Sequence, residues 1–469
     1  MIADLKPYAE YKESGSRWLG AVPVTWGVQN LRTLISKRTE RDRADLPLLS
    51  VARERGVFVR SLTDADENHN VIPDDLSNYK VARAGNLVIN KMKAWQGSMG
   101  IAPCDGIVSP AYFVFDFRIA NHAFGQRLLR SKPYVAHFGQ ASDGVRVGQW
   151  DLSIPGMRQI PVLLPPPEEQ SAIVRFLDWA NGRLDRAIRA KRKVISLLNE
   201  QKQAIIHRAV TRGLDPSVPL KPSGIPWLGD IPAHWEVRRL RHLIKGRLTY
   251  GANAAAEFTN PDWPRYIRIT DFRTDGSLKP DTFRSLPPHV ASDYMVSPGD
   301  ILFARSGATV GKAFLVLTLT GAACHAGYLI RARPDRSLVH PHYLFAFTQT
   351  RAFSAWKDST FNTATIQNIG ADKYANLPVP LPSLIEQQAV LESVTVEQRP
   401  INATVSRLER EIDLLREYRT RLVADVVTGK LDVREAASKI PDEEPLLDSA
   451  DTEDIDIADD LNSDEEADA

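Results

Sequence analysis

A chain that repeats its own framework must fold that framework twice, and this constrains the present sequence more than any other feature. Segment 12–32, KESGSRWLGAVPVTWGVQNLR, recurs without a gap at 221–241, KPSGIPWLGDIPAHWEVRRLR, an offset of 209. Ser14, Gly15, Trp18, Leu19, Gly20, Pro23, Trp26, Val28, Leu31 and Arg32 all have identical counterparts. Only nine tryptophans occur in 469 residues, so two matched pairs at one spacing point to a real repeat. Each copy reads as a loop shaped by Pro and Gly, anchored by two indoles and leading into a short helix or strand. Trp18, Trp26, Trp227 and Trp235 are therefore expected as framework anchors rather than base-stacking platforms.

A second pair follows. Segment 160–170, IPVLLPPPEEQ, matches 377–387, LPVPLPSLIEQ, at an offset of 217. The same offset continues to 210–215, VTRGLD, and 427–432, VTGKLD. The order is thus variable region, helix, variable region, helix. The variable regions, about 36–155 and 245–372, share no plain identity. One framework holding two different readers is the arrangement this suggests.

The segments after the proline-rich stretches carry helical periodicity. Glu168, Glu169 and Glu386 suit helix N-termini, where carboxylates meet the positive end of the dipole. Asn181-Gly182 and Pro400 predict breaks, giving short helices over 168–180 and 385–397 and long ones over 183–212 and 400–429. Leu184, Ile188, Ile195, Leu198 and Ile205 face the register of Ile401, Val405, Leu408, Ile412, Leu415 and Leu422, with spacings of three and four as a coiled-coil seam requires. Equal lengths and registers favour the two rods pairing with each other, antiparallel about a pseudo-two-fold axis. At 1.5 Å per residue such a rod spans about 43 Å, somewhat more than one DNA turn.

The formal net charge of +1 averages two unlike regions. Residues 441–469 hold 14 acids and no Lys or Arg, so residues 1–440 carry a net +15. A body that basic inclines toward polyanionic partners. The tail is expected to be disordered, serving solubility or competing with DNA for the basic surface. No apolar run approaches a membrane span, and residues 1–6 have no signal-peptide core. Two cysteines, Cys104 and Cys324, exclude a disulfide framework and are expected as small buried residues of an intracellular protein.

Both variable regions read as mixed α/β, with strand-like runs at 87–90, 112–117, 301–303 and 328–331. A faint common skeleton, turn then apolar strand then glycine-bounded loop, links 85–100 to 299–311. The first loop carries Lys91, Lys93, Trp95, Gln96 and Ser98; the second carries Arg305, Ser306, Thr309 and Lys312. Lys and Arg suit guanine acceptors or phosphates, and Gln suits adenine edges. Two later polar stretches add Ser142 and Arg146, and Asn362, Thr363, Thr365 and Gln367. An ordinary solvated loop is the competing expectation for each. Gly307–Lys312 imitates a phosphate loop, but it has three residues between the glycines and Ala313 where the hydroxyl ligand belongs. Motifs for base methylation, zinc hydrolysis and serine hydrolysis are missing. His340 and His342 lack a further ligand, so no metal is expected.

The tryptophan loops, the proline-rich Glu-Gln segments and the helices after them together resemble the specificity subunit (HsdS) of type I restriction–modification systems, over roughly residues 10–435. The resemblance implies an α+β chain: two mixed α/β target recognition domains separated by two long conserved helices in an antiparallel coiled coil. Expected boundaries are 1–165 and 215–382 for the recognition domains, 166–214 and 383–435 for the helical spacers, and 436–469 for the acidic tail. The implied role is to read a bipartite double-stranded DNA site without catalysis or cofactor of its own, in the cytoplasm. Two adenine methyltransferase (HsdM) subunits and motor-nuclease (HsdR) subunits are the implied partners; S-adenosylmethionine, ATP and magnesium belong to them. A coiled-coil adaptor with no sequence-specific DNA role is the competing expectation.

Overall fold

The computed structural model describes residues 5–60, 75–144, 150–273, 276–307, 309–360 and 368–441. The chain divides into two compact units, residues 1–189 with 412–469, and residues 190–411. Both divisions fall inside long helices, Pro167–Arg212 and Leu384–Val427.

Each unit is built around a four-stranded antiparallel sheet of the same order. In the first, Ile35–Lys37, Tyr112–Phe117, Leu87–Asn90 and Met99–Ile101 lie side by side. In the second, Thr249–Tyr250, Leu329–Ala332, Ile301–Ala304 and Ala313–Leu315 do the same. Leu87–Asn90 and Ile301–Ala304 are buried at every position and apolar at all but Asn90, which is why they lie inside their sheets. The matched skeleton in the two variable regions is this shared strand–loop–strand. Beyond the sheets the units differ. Lys80–Ala82 pairs antiparallel with Gly106–Val108, whereas Arg265–Ile267 pairs parallel with Ala323–His325.

A second shared device ties each repeated loop to its proline-rich strand. Gly27–Asn30 pairs with Pro161–Leu164, and Glu236–Arg239 with Pro378–Leu381, four residues to four in each case. The long helices start just beyond these strands.

Those helices run 46 and 44 residues without interruption, about 66–69 Å at 1.5 Å per residue, so the expected breaks do not occur. Gly182 costs only about 1 kcal/mol within a helix. Buried Phe176, Leu177 and Ala180 before it, and Leu184 and Ile188 after it, hold the helix through. Pro400 lies inside the second helix on an exposed face, where the carbonyl it leaves unbonded can reach water. The rod length expected from the 29-residue segments is corrected accordingly.

The helix halves are antiparallel within the second unit. Lys191 bonds to Glu411 at 2.5 Å, the Lys202 carbonyl accepts from Gln398, and Arg208 pairs with Glu397 at 2.9 Å. As one number rises its partner falls. In the first unit Arg419 pairs with Asp185 at 2.8 Å. Of the seam residues, Leu184, Ile188, Ile401, Leu408, Ile412 and Leu422 are buried; Ile195, Leu198, Ile205, Val405 and Leu415 are half-buried. Cys324 is buried as expected, but Cys104 is only half-buried. The acidic residues from Asp442 onward lie outside the described residues.

Candidate nucleic-acid interface

The two sequence motifs of the repeat meet in space. Trp26 is fully buried, and its indole N–H donates to Glu169 Oε1 at 2.9 Å across 143 residues of chain. Trp235 is equally buried and donates to Glu386 Oε1 at 2.9 Å. Glu169 also accepts from the Tyr8 hydroxyl at 2.5 Å. Burial, reinforced by that carboxylate, raises the Tyr8 phenol well above its ordinary 10. The neighbouring glutamines do matched work. Gln170 accepts the amide of Asn121, and Gln387 the amide of His340; each of those residues caps a helix of its own unit.

Each latch also receives the end of a long helix. Gly429, at φ 76°, lies so close that a Cβ there would stand 2.6 Å from Pro23 and 3.1 Å from the Trp26 ring. Gly213, at φ 73°, would bring a Cβ to 3.4 Å from Trp235. Only glycine takes this left-handed conformation without strain. So Trp26 meets the start of the first long helix and the end of the second, and Trp235 the start of the second and the end of the first. This supports the reading of the indoles as framework.

On these frameworks sit two unlike loops. In the first unit the loop after Asn90 contains the 3-10 turn Ala94–Gln96 and returns through Gly97. Lys91 pairs with Asp151 at 2.8 Å, so its charge is already engaged. Lys93 is exposed and Gln96 half-buried. Trp95 donates to the Met92 carbonyl and lies 5.4 Å from Trp150, ring to ring. Ser98 is 2% exposed; the loop folds back into the sheet there, which removes it as a surface contact. Ser142 is half-buried and its hydroxyl donates to the Phe138 carbonyl. Arg146 lies outside the described residues.

In the second unit Arg305 is half-buried, with its guanidinium carbon 4.9 Å above the Tyr250 ring. Ser306 bridges to Asn368, Thr309 is half-buried, and Lys312 is exposed. Asn362, Thr363, Thr365 and Gln367 lie outside the described residues. Tyr250, 42% exposed, lies under Arg305, and Tyr328, 65% exposed, accepts the Arg305 amide through its carbonyl; neither stood out as a site residue in the sequence. An exposed tyrosine has no periodicity to mark it. Among the described residues no group of His, Cys, Asp and Glu could hold a metal, and no helix is long and apolar enough to cross a membrane. His340 and His342 belong to the helix cap instead.

An α+β framework used twice, with a different polar loop on each copy, defines the class of fold. Relatives narrow it. The chain is 25% identical over 210 residues to the type I restriction enzyme StySPI specificity subunit of Salmonella potsdam, covering 43% of this chain and 44% of that one. It is 26% identical over 214 residues to the EcoKI specificity subunit of Escherichia coli K12, with the same coverage. The matched segment spans less than half the length of either relative. A chain from a solved structure of the type I R-M system, concerned with its assembly and conformational transition, shares the fold with a TM-score of 0.58 at 17% identity, covering 87% of this chain and 99% of that one. No family model matches the sequence. These two curated relatives are both specificity subunits of type I restriction enzymes.

Proposed function

We propose that this chain is the DNA-specificity subunit of a type I restriction–modification complex. It reads a bipartite duplex target, one half through the recognition domain within 1–165 and the other through that within 215–382. The observation that carries this is the pairing of one repeated Trp–Glu framework with two unlike hairpin loops. A shared frame gives two readers the same mounting, while unlike loops let each read a different sequence. The +15 body supplies the sequence-independent attraction to phosphates.

The chain itself is non-catalytic in this reading. Methyl transfer, ATP-driven translocation and cleavage belong to two adenine methyltransferase subunits and to motor-nuclease subunits, in the cytoplasm. Leu197 and Leu414 occupy repeat-matched helix positions and are 51% and 63% exposed, which suits docking of a partner on each half. Leu197→Glu and Leu414→Glu are expected each to remove one partner without lowering Tm.

Methylated-adenine mapping of host DNA tests the proposal. A bipartite motif should vanish when the chain is deleted. Exchanging residues 36–155 should change one half only; a change in both halves, or in neither, defeats it.

A further inference from the structure

The two hairpins differ most in what is done with the charge on the first loop residue. Lys91 follows the last residue of its strand, as Arg305 follows the last of the matching strand. Each has its carbonyl held by an amide from the segment that closes its domain: Leu152 N–H donates to Lys91 at 2.9 Å, and Ile369 N–H to Arg305 at 2.8 Å. The two positions are thus equivalent. In the first unit the residue before Leu152 is Asp151, and its carboxylate takes the lysine charge. In the second the residue before Ile369 is Asn368, which has no charge to offer. Among the described residues no carboxylate pairs with Arg305. Segment 361–367, FNTATIQ, carries no acid either.

Arg305 is nevertheless held. Its own amide donates to the Tyr328 carbonyl at 3.0 Å, so both sides of its backbone are fixed. Its guanidinium lies over Tyr250, whose hydroxyl accepts the Ala371 amide at 3.0 Å. A ring attracts a cation through its face and offers no lone pair in the plane, so the N–H fork is restrained without being consumed. A preorganised planar fork stacked on the exposed Tyr250 ring matches the paired acceptors O6 and N7 of guanine.

We infer that Arg305 reads a guanine edge in the half-site served by the second unit, and that its counterpart Lys91 is a latch that reads nothing. This rests on the bipartite reading proposed above. The test places Arg305→Gln, Tyr250→Leu and Lys91→Met in the host chromosome and maps methylated adenines. It also measures binding of each purified full chain to the mapped site and to single-base variants across a salt series.

Arg305→Gln should cut discrimination at one G·C pair of the second half by about 10- to 100-fold and leave the first half intact. The salt slope should not change. Tyr250→Leu should weaken the same preference by a smaller factor, and it decides the matter if Arg305→Gln fails to fold. Lys91→Met should leave the motif as it is. A uniform loss on every sequence, with the salt slope reduced by about 0.9, would make Arg305 a phosphate contact and overturn the inference. So would an unchanged motif in the Arg305 and Tyr250 variants, or a first-half change in Lys91→Met. Absence of any bipartite motif with the unaltered chain would overturn the underlying reading as well, which sets that failure apart.

Discussion

Glu169 and Glu386 hold the same position in the repeat, yet they carry different loads. Glu169 is buried and accepts from two buried donors, the Trp26 indole and the Tyr8 phenol. Glu386 accepts from one buried donor, the Trp235 indole, and from His234, whose side chain is 51% exposed. The geometry of the latch is held constant while its surroundings vary. The hairpin loops repeat the lesson: one matched position, two different charge arrangements.

The largest effects should come from the indoles. Trp26→Ala and Trp235→Ala each empty a fully buried site and should cost about 3–5 kcal/mol. Hydrogen exchange should show each loss in its own unit; equal loosening of both units by either change would break the comparison. Next come the carboxylates. Glu169→Ala strands two buried donors and should cost about 2–6 kcal/mol, against about 1–3 kcal/mol for Glu386→Ala, at about 1–3 kcal/mol per stranded group. Denaturant titration ranks the two, and the reverse order would refute the assignment of loads.

A smaller effect is expected from Asp151→Asn, which gives the first unit the residue type of Asn368. Releasing Lys91 should steepen the salt dependence of DNA binding by about 0.9, equally on all sequences, with no new base preference.

The smallest concerns pH. Burial lowers His207, His325, His340 and His342 in the second unit from the ordinary 6.5, and His137 in the first. A histidine with a depressed folded-state pKa is protonated more readily in the unfolded chain. Its contribution is complete above pH 6.5 and shrinks as pH falls below that value. The second unit should therefore loosen first between pH 7.5 and 5.5. Exchange rates in the two units over that range check this; earlier loosening of the first unit would count against it.

How far the sequence disclosed all this depends on the range of each interaction. Trp26 and Glu169 were each visible as repeated residues, but their bond spans 143 positions and leaves no periodic trace. The sheet-centre strands were legible because LVIN is apolar up to its last residue and ILFA is apolar throughout. Helix continuity was misjudged because glycine and proline preferences are local, while the packing that overrides them at Gly182 is not. Among loop residues, Ser98 and Lys91 looked alike as polar candidates. One proved to be inside and the other neutralised by an aspartate 60 residues away. Chemistry named the residue types; only the fold assigned their occupations.

The second unit is one continuous stretch, residues 190–411, whereas the first needs residues beyond 411 to be whole. Val433, Ala436, Ala437 and Ile440 share a core with Tyr8, Val22 and Trp26, and Lys6 bridges to Asp432. On the ribosome, then, the later half of the message completes its domain first. The first unit, although begun earlier, waits with part of its core unfilled until Val433, Ala436, Ala437 and Ile440 emerge. Vectorial synthesis usually favours the N-terminal domain; here the order of closure is inverted, and a chain truncated near residue 411 would keep a finished second domain beside an unfinished first.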